Sequence, residues 1–192
     1  MTFQKFYLAF LLIFFVGLGA YFIFHSGYYT IAFVNGTVIT ARSLHEMYVS
    51  AFHYYGTLLK NNNGDLENIR EDFKQGLQLQ VLNQLIERIL VSRGVKNAVG
   101  KDLQELVDAK LAIPKLQEAN FQEAVKTMYG LDAADFKETI LIPQAYREIL
   151  EGRLTLENKN LDGWLTEARK LAKVTILMGG FTWQGGELTA RD

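Results

Sequence analysis

Apolar and small residues run from Phe6 to Phe24 without a charge, nineteen positions behind a lone Lys5, and no other stretch of the chain resembles this one. At 1.5 Å per residue a helix of that length spans about 28 Å, close to the roughly 30 Å hydrocarbon thickness of a bilayer. The run predicts a membrane-spanning anchor over residues 1–27, with Phe6, Leu12, Phe15 and Phe24 among its lipid-facing side chains. A buried core helix fits less well, because a segment apolar on every face needs a much larger protein around it. A cleaved secretory signal also fits less well. Gly17-Leu18-Gly19 before Ala20 makes a poor cleavage site, and apolar Tyr21 to Phe24 follow directly.

Beyond residue 27 the pattern changes. Thr30 to Val34 and Thr37 to Ile39 are β-branched or apolar and flank Asn35-Gly36, which predicts a tight type I′ hairpin. A helix of about 41–60 follows, capped by Thr40. A second starts at Asp65 and carries a wide apolar face through Leu90, with Gly94 as its expected stop. Shorter helices are expected at 101–112 and 116–129, separated around Pro114, and another from Asp132 to Leu154 that Pro143 should kink or break. Asn160 caps a last helix through Ala172, and Lys173 to Met178 reads as a strand, of which Val174 to Leu177 pairs with the hairpin. The expected fold is mainly α with a small β element. It comprises a helical domain over 28–178 and a Gly-rich tail, 179–192, that frays.

Charge narrows the partners. After the anchor about 168 residues remain, enough for one real core, and they carry 19 basic against 21 acidic residues, a net charge of −2. A well-mixed surface of that kind argues against nucleic acid and against a polybasic lipid patch. The near flank beyond the anchor has no basic residue before Arg42, so the positive-inside bias of Lys5 places the amino terminus in the cytoplasm and the domain outside. The absence of cysteine agrees with an oxidising compartment without requiring one.

Little in the chain suggests catalysis. It has no Gly-rich phosphate loop, nucleophile elbow or metal-ligating helix motif. His45 and His53 lie two helical turns apart, about 12 Å, too far to share one metal. No catalytic residue, metal or cofactor is expected. The aromatic residues are more suggestive. Tyr48, Phe52, Tyr54 and Tyr55 crowd one helix and cannot all face one core. Tyr48, Phe52 and Tyr55, with Leu111, Ile113, Phe121, Met128 and Tyr129 further on, are the candidates for an apolar peptide-binding patch. Filling the core between short helices is the alternative role for all of them.

The ordered features resemble the amino-terminal domain of SurA-type periplasmic chaperones and their anchored relatives PpiD and PrsA. The marks are Val34-Asn35-Gly36 to Ile39-Thr40 before a helix, then Val81-Leu82-Asn83-Gln84-Leu85-Ile86-Glu87-Arg88-Ile89-Leu90 and Arg93-Gly94-Val95. Leu131 to Phe136 and Tyr146-Arg147 follow, then Trp164-Leu165 and Lys173 to Ile176. The resemblance spans about residues 31–178. It departs from many relatives where a parvulin prolyl-isomerase domain is inserted, because Leu154 to Leu161 leaves only a short connector. It implies an ATP-independent chaperone-like domain without isomerase activity, tethered on the outer face of the membrane or in a periplasm. Its implied partners are unfolded or nascent exported polypeptides near the secretion translocon. The alternatives are a structural or adaptor subunit docking one membrane or secretion-machinery partner, and a degenerate isomerase.

Overall fold

The computed structural model describes residues 2–61, 71–112 and 119–191. Helix α1, Thr2–His25, is uninterrupted over 24 residues. Its described side chains from Phe10 to Gly19 are exposed all round the axis, Leu12 and Phe15 at 61% and 65%. The side chains of Phe6 and Phe24 lie outside the described residues. Among the described residues no helix is long and apolar enough to cross a membrane, and the longest run of described side chains in α1 covers only residues 10–19.

The chain leaves α1 through Gly27, whose φ of +70° is the left-handed conformation that ends many helices. Tyr28 N–H closes the turn on the Ile23 carbonyl at 3.1 Å. Strands β1, Thr30–Val34, and β2, Thr37–Thr40, then form the expected hairpin. Asn35 and Gly36 take φ of 50° and 82°, as a type I′ turn requires. Strand β3, Val174–Ile176, pairs antiparallel with β1, giving the order β2-β1-β3. Ala32, Val34 and Ile39 face inward, whereas the cross-strand pair Phe33 and Val38 faces solvent. An irregularity in the β1–β2 register between Thr30 and Ala32 allows Ile31 to be buried beside Ala32.

Helix α2, Ala41–Asn61, starts with most of its orphan donors satisfied. Ala41 N–H reaches the Tyr29 carbonyl at 3.0 Å, and Arg42 N–H the Gly27 carbonyl at 2.8 Å. Ser43 N–H reaches Thr40 Oγ1 at 3.2 Å, and Ser43 Oγ accepts from Thr40 N–H at 3.3 Å, a reciprocal cap.

Helix α3, Glu71–Val99, is the spine of the domain at 29 residues. The expected start at Asp65 lies outside the described residues. The expected stop at Gly94 is wrong: the helix runs through it and ends at Gly100, whose φ is +60°. Gly94 is glycine because of a neighbour. A Cβ there would stand 2.5 Å from the Trp164 ring. The N-terminal half of α3 packs Leu77, Val81, Leu82 and Ile86 against the sheet and α2. Its C-terminal half packs Val91, Val95 and Val99 against the second core, with Leu103, Val107, Ile149, Leu150 and Leu165.

The second core is built by α4, Leu103–Leu111, α7, Ile142–Leu156, and α8, Leu161–Leu171. Helix α5, Ala119–Tyr129, packs on α2 instead. Residues 116–118 of the expected 116–129 helix, and Pro114 before it, lie outside the described residues. Asp132 Oδ1 accepts from Asp135 N–H at 2.8 Å and opens α6, Ala133–Phe136. Pro143 does not break the run. A π-helical turn, Lys137–Leu141, precedes it, and Ile142 N–H bonds the Lys137 carbonyl five residues back. The wider turn stands where Pro143 has no N–H to give Thr139. Asn160 caps α8 as expected, its Oδ1 accepting from Gly163 N–H at 2.7 Å.

The expected frayed tail is a second hairpin. Strands β4, Phe181–Gln184, and β5, Glu187–Ala190, pair across Gly185-Gly186, with φ of 62° and 91°. Burial explains its order: Leu188 belongs to the first core, and Phe181 and Trp183 pack against it. Arg169 of α8 fastens the hairpin down. Its Nε donates to the Gly186 carbonyl at 2.8 Å, Nη1 to Glu87 at 2.5 Å and Nη2 to Asn83 Oδ1 at 2.7 Å. The same guanidinium lies over the Trp183 ring at 5.3 Å.

Candidate functional site

The predicted peptide-binding residues do not form one patch. Tyr48, Phe52 and Tyr55 are half-buried against the first core, and Leu111 is packed into the second. Ile113 lies outside the described residues. Met128 is half-buried on α5. Phe121 and Tyr129 meet at Phe136, which is not among the predicted binding residues. Its ring lies 6.0 Å from Phe121 and 5.1 Å from Tyr129. Tyr54 stacks on Tyr129 at 5.2 Å, nearly parallel, and ties α2 to the same cluster.

The α2–α5 junction is held by more than rings. His53 Nε2 lies 2.9 Å from the Thr127 carbonyl, and Thr57 Oγ1 donates to the same oxygen at 3.3 Å. That carbonyl is one of the orphan acceptors at the C-terminus of α5. Gly130, with φ of +69°, turns the chain away directly under the His53 ring.

Three adjoining hollows run from this cluster along α3. The first, of about 200 Å³, lies between Met47, Tyr54, Tyr55, Tyr129 and Ile140. The second, about 410 Å³, shares Met47, Gln84, Thr139 and Ile140 with the first and continues to Arg88, Pro143 and Tyr146. The third, about 690 Å³, shares Arg88, Pro143 and Tyr146 and reaches Thr37, Val38 and Ile39 of β2. One wall of all three is therefore the run through the π-helical turn and the start of α7. Pro143, legible in sequence only as a helix disturbance, stands at the middle of that wall.

The groove is apolar at its aromatic end and cationic at its strand end. Arg88 Nη2 donates to the Glu138 carbonyl at 2.6 Å, and Arg93 Nη2 to the Asn35 carbonyl at 2.6 Å. Burial pulls the Arg88 guanidinium below its ordinary value, against the opposing pull of Glu138 and Tyr146. It stays charged at physiological pH, because arginine starts so high. Such a surface offers apolar contact, backbone and cationic donors, with no nucleophile–base pair among the residues described along it.

A family model for the SurA-like N-terminal domain matches residues 2–141. The chain belongs to that family. No curated protein and no solved structure matches it. A SurA-like N-terminal domain is a chaperone-type, non-catalytic module, which places this protein broadly in a chaperone-like or adaptor role. The match includes α1 and ends with the π-helical turn. The resemblance read from sequence thus agrees with it over 31–141, while α7, α8 and β3 lie beyond the matched residues. Residues 157–160 alone join α7 to α8.

Proposed function

We propose that this SurA-like N-terminal domain is a membrane-tethered, ATP-independent chaperone that holds unfolded or nascent exported chains outside the cytoplasm, without isomerase activity. The observation that carries the reading is the groove of three adjoining hollows, which runs from the Tyr54–Tyr129 stack to the β2 edge. An elongated furrow of apolar and aromatic side chains suits extended polypeptide of varied sequence better than a compact ligand.

The tether is argued from α1, a continuous 24-residue helix whose sequence from Phe6 to Phe24 carries no charge. Its described apolar side chains from Phe10 to Val16 are exposed, and lipid would cover them. Anchoring raises the local concentration of binder where chains emerge, so weak contacts suffice. The four-residue connector between α7 and α8 is too short to carry an inserted isomerase domain at that point.

The test uses the full chain in lipid nanodiscs, with aggregation of a chemically denatured client followed by light scattering. Native protein should slow aggregation, and Ile140→Glu, which puts a charge into the apolar end of the groove, should lose most of that effect. Unchanged aggregation with either protein overturns the reading. Crosslinking from the groove in cells decides against the adaptor alternative if it captures many chains, and in its favour if it captures one stoichiometric partner.

A further inference from the structure

The strand end of the groove has chemistry that apolar holding does not use. Strand β2 is an edge, since the sheet order is β2-β1-β3. Across the two-residue turn Val34 and Thr37 face each other, followed by Phe33 and Val38. In that arrangement the residues flanking the turn bond each other, and the next residue, Val38, directs its N–H and C=O away from β1. Val38 is 45% exposed and lines the third hollow. Opposite it, α3 and α7 supply Ile89, Pro143 and Tyr146 as apolar wall. The same hollow holds Arg88, Arg93 and Lys96 against one acid, Glu138, in a protein whose overall charge is −1. Arg88 and Arg93 each spend one described donor on a carbonyl, and a guanidinium has five.

We propose that this end of the groove binds an extended peptide segment by strand addition at Val38, with an acidic side chain of the segment held by Arg88, Arg93 and Lys96. The proposal rests on the chaperone reading and adds a preference to it: extended stretches that alternate apolar residues with a carboxylate. Backbone pairing supplies sequence-tolerant affinity, and the cations select. The edge is short, so the segment gains few ladder bonds, and capture stays weak and reversible as holding requires.

The probe is a fluorescein-labelled, acetylated and amidated heptapeptide of alternating valine and threonine with glutamate at its centre. Versions with glutamine or lysine at the centre serve as comparison. Binding to the full chain in detergent micelles is read by fluorescence anisotropy at low salt. The glutamate peptide should bind about tenfold tighter than the glutamine peptide, as a charge-assisted contact provides, and the lysine peptide weaker still. Lys96→Gln, at an exposed position, should shrink the glutamate preference while leaving the glutamine peptide unchanged. Val38→Pro removes the outward N–H at an edge position where proline is tolerated, and should weaken both peptides alike. Equal binding of the glutamate and glutamine peptides overturns the proposal, as does a glutamate preference that Lys96→Gln leaves undiminished. Should Val38→Pro fail to fold, Lys96→Gln decides alone. Client aggregation on the same samples separates the two readings: suppression without glutamate preference sinks only this proposal, and loss of suppression by the native chain sinks the chaperone reading itself.

Discussion

Gly94 and Gly100 stand six residues apart and are glycine for unrelated reasons. At Gly94 a Cβ would meet the Trp164 ring at 2.5 Å and Leu150 at 3.1 Å, so α3 and α8 cannot approach as they do with any larger residue. Gly94→Ala should cost about 1–3 kcal/mol, the usual range for overpacking a core, and lower the denaturant midpoint without changing the slope. At Gly100 nothing lies within 4 Å, and only the φ of +60° matters. Gly100→Ala should cost about 1–2 kcal/mol through backbone strain, and Gly100→Asn less, because asparagine tolerates the left-handed region. The sequence placed the helix stop at the wrong glycine because a glycine that makes room and a glycine that turns a chain look identical until Trp164 is brought alongside. Glu148 shows the same dependence on a distant partner. Its hydrogen bonds from Lys110, 2.7 Å away on α4, and from Gln144 hold its carboxyl below the ordinary value. A lowered folded-state value means that this contribution is present above the unfolded value and is lost as pH falls through the folded one. Both side chains are more than 40% exposed, so solvent screening keeps the effect within about 0.5 kcal/mol. Lys110→Gln should accordingly flatten the acid limb of a pH–stability curve by no more than that.

At the scale of elements, local signals were legible where they sit within a few residues of each other. Asn35-Gly36, Thr40, Asp132 and Asn160 each specify a turn or cap that the fold realises. Gly185-Gly186 is a signal of the same kind, flanked by β-prone Phe181 to Trp183, but glycine content around it reads as fraying unless Leu188 is known to be buried. The second hairpin is thus part of the core. Removing residues 180–192 takes away Leu188, the Trp183 face and the Gly186 carbonyl that Arg169 uses, and leaves its bonds to Glu87 and Asn83 more exposed. The truncation should cost at least the roughly 2–5 kcal/mol of a buried leucine, measured by thermal unfolding, and Leu188→Ala alone should reproduce most of it. A truncated protein as stable as the full chain would show the hairpin to be an ornament. The candidate groove was less legible. Its aromatic end was foreshadowed by Tyr55 and Tyr129, but Ile140, Pro143 and Arg88 come together only through the π-helical turn. That turn depends on how proline's lost donor is absorbed, which spacing alone does not specify.

For the whole molecule the decisive joint lies between α1 and the domain. The proposed tether is not joined by a loose linker, because two of the four residues that follow α1 help to cap α2. Gly27 and Tyr29 carbonyls accept from Arg42 and Ala41 N–H, and Arg42 Nη1 donates to the Tyr28 hydroxyl at 2.8 Å while its guanidinium lies 5.1 Å from that ring. Donors at the start of α2 therefore find their partners only if α1 leaves the domain in one direction. With α1 in a bilayer, the groove would be presented at a set angle to the membrane. Gly27 is the hinge pin of this arrangement: its φ is +70°, and a Cβ would stand 3.3 Å from the Arg42 nitrogen. Gly27→Val should cost about 1–2 kcal/mol of local strain, comparable to the one or two capping bonds it opposes, and so release the joint without unfolding the domain. In nanodiscs, time-resolved anisotropy of a fluorophore placed at exposed Lys173 should show restricted wobble for the native chain and a wider cone for Gly27→Val. Gly179→Val, at an unstrained position with open space around it, should behave as native. Equal cone angles for native and Gly27→Val chains would mean that the domain already swings freely and that the hydrogen-bonded joint does not orient it.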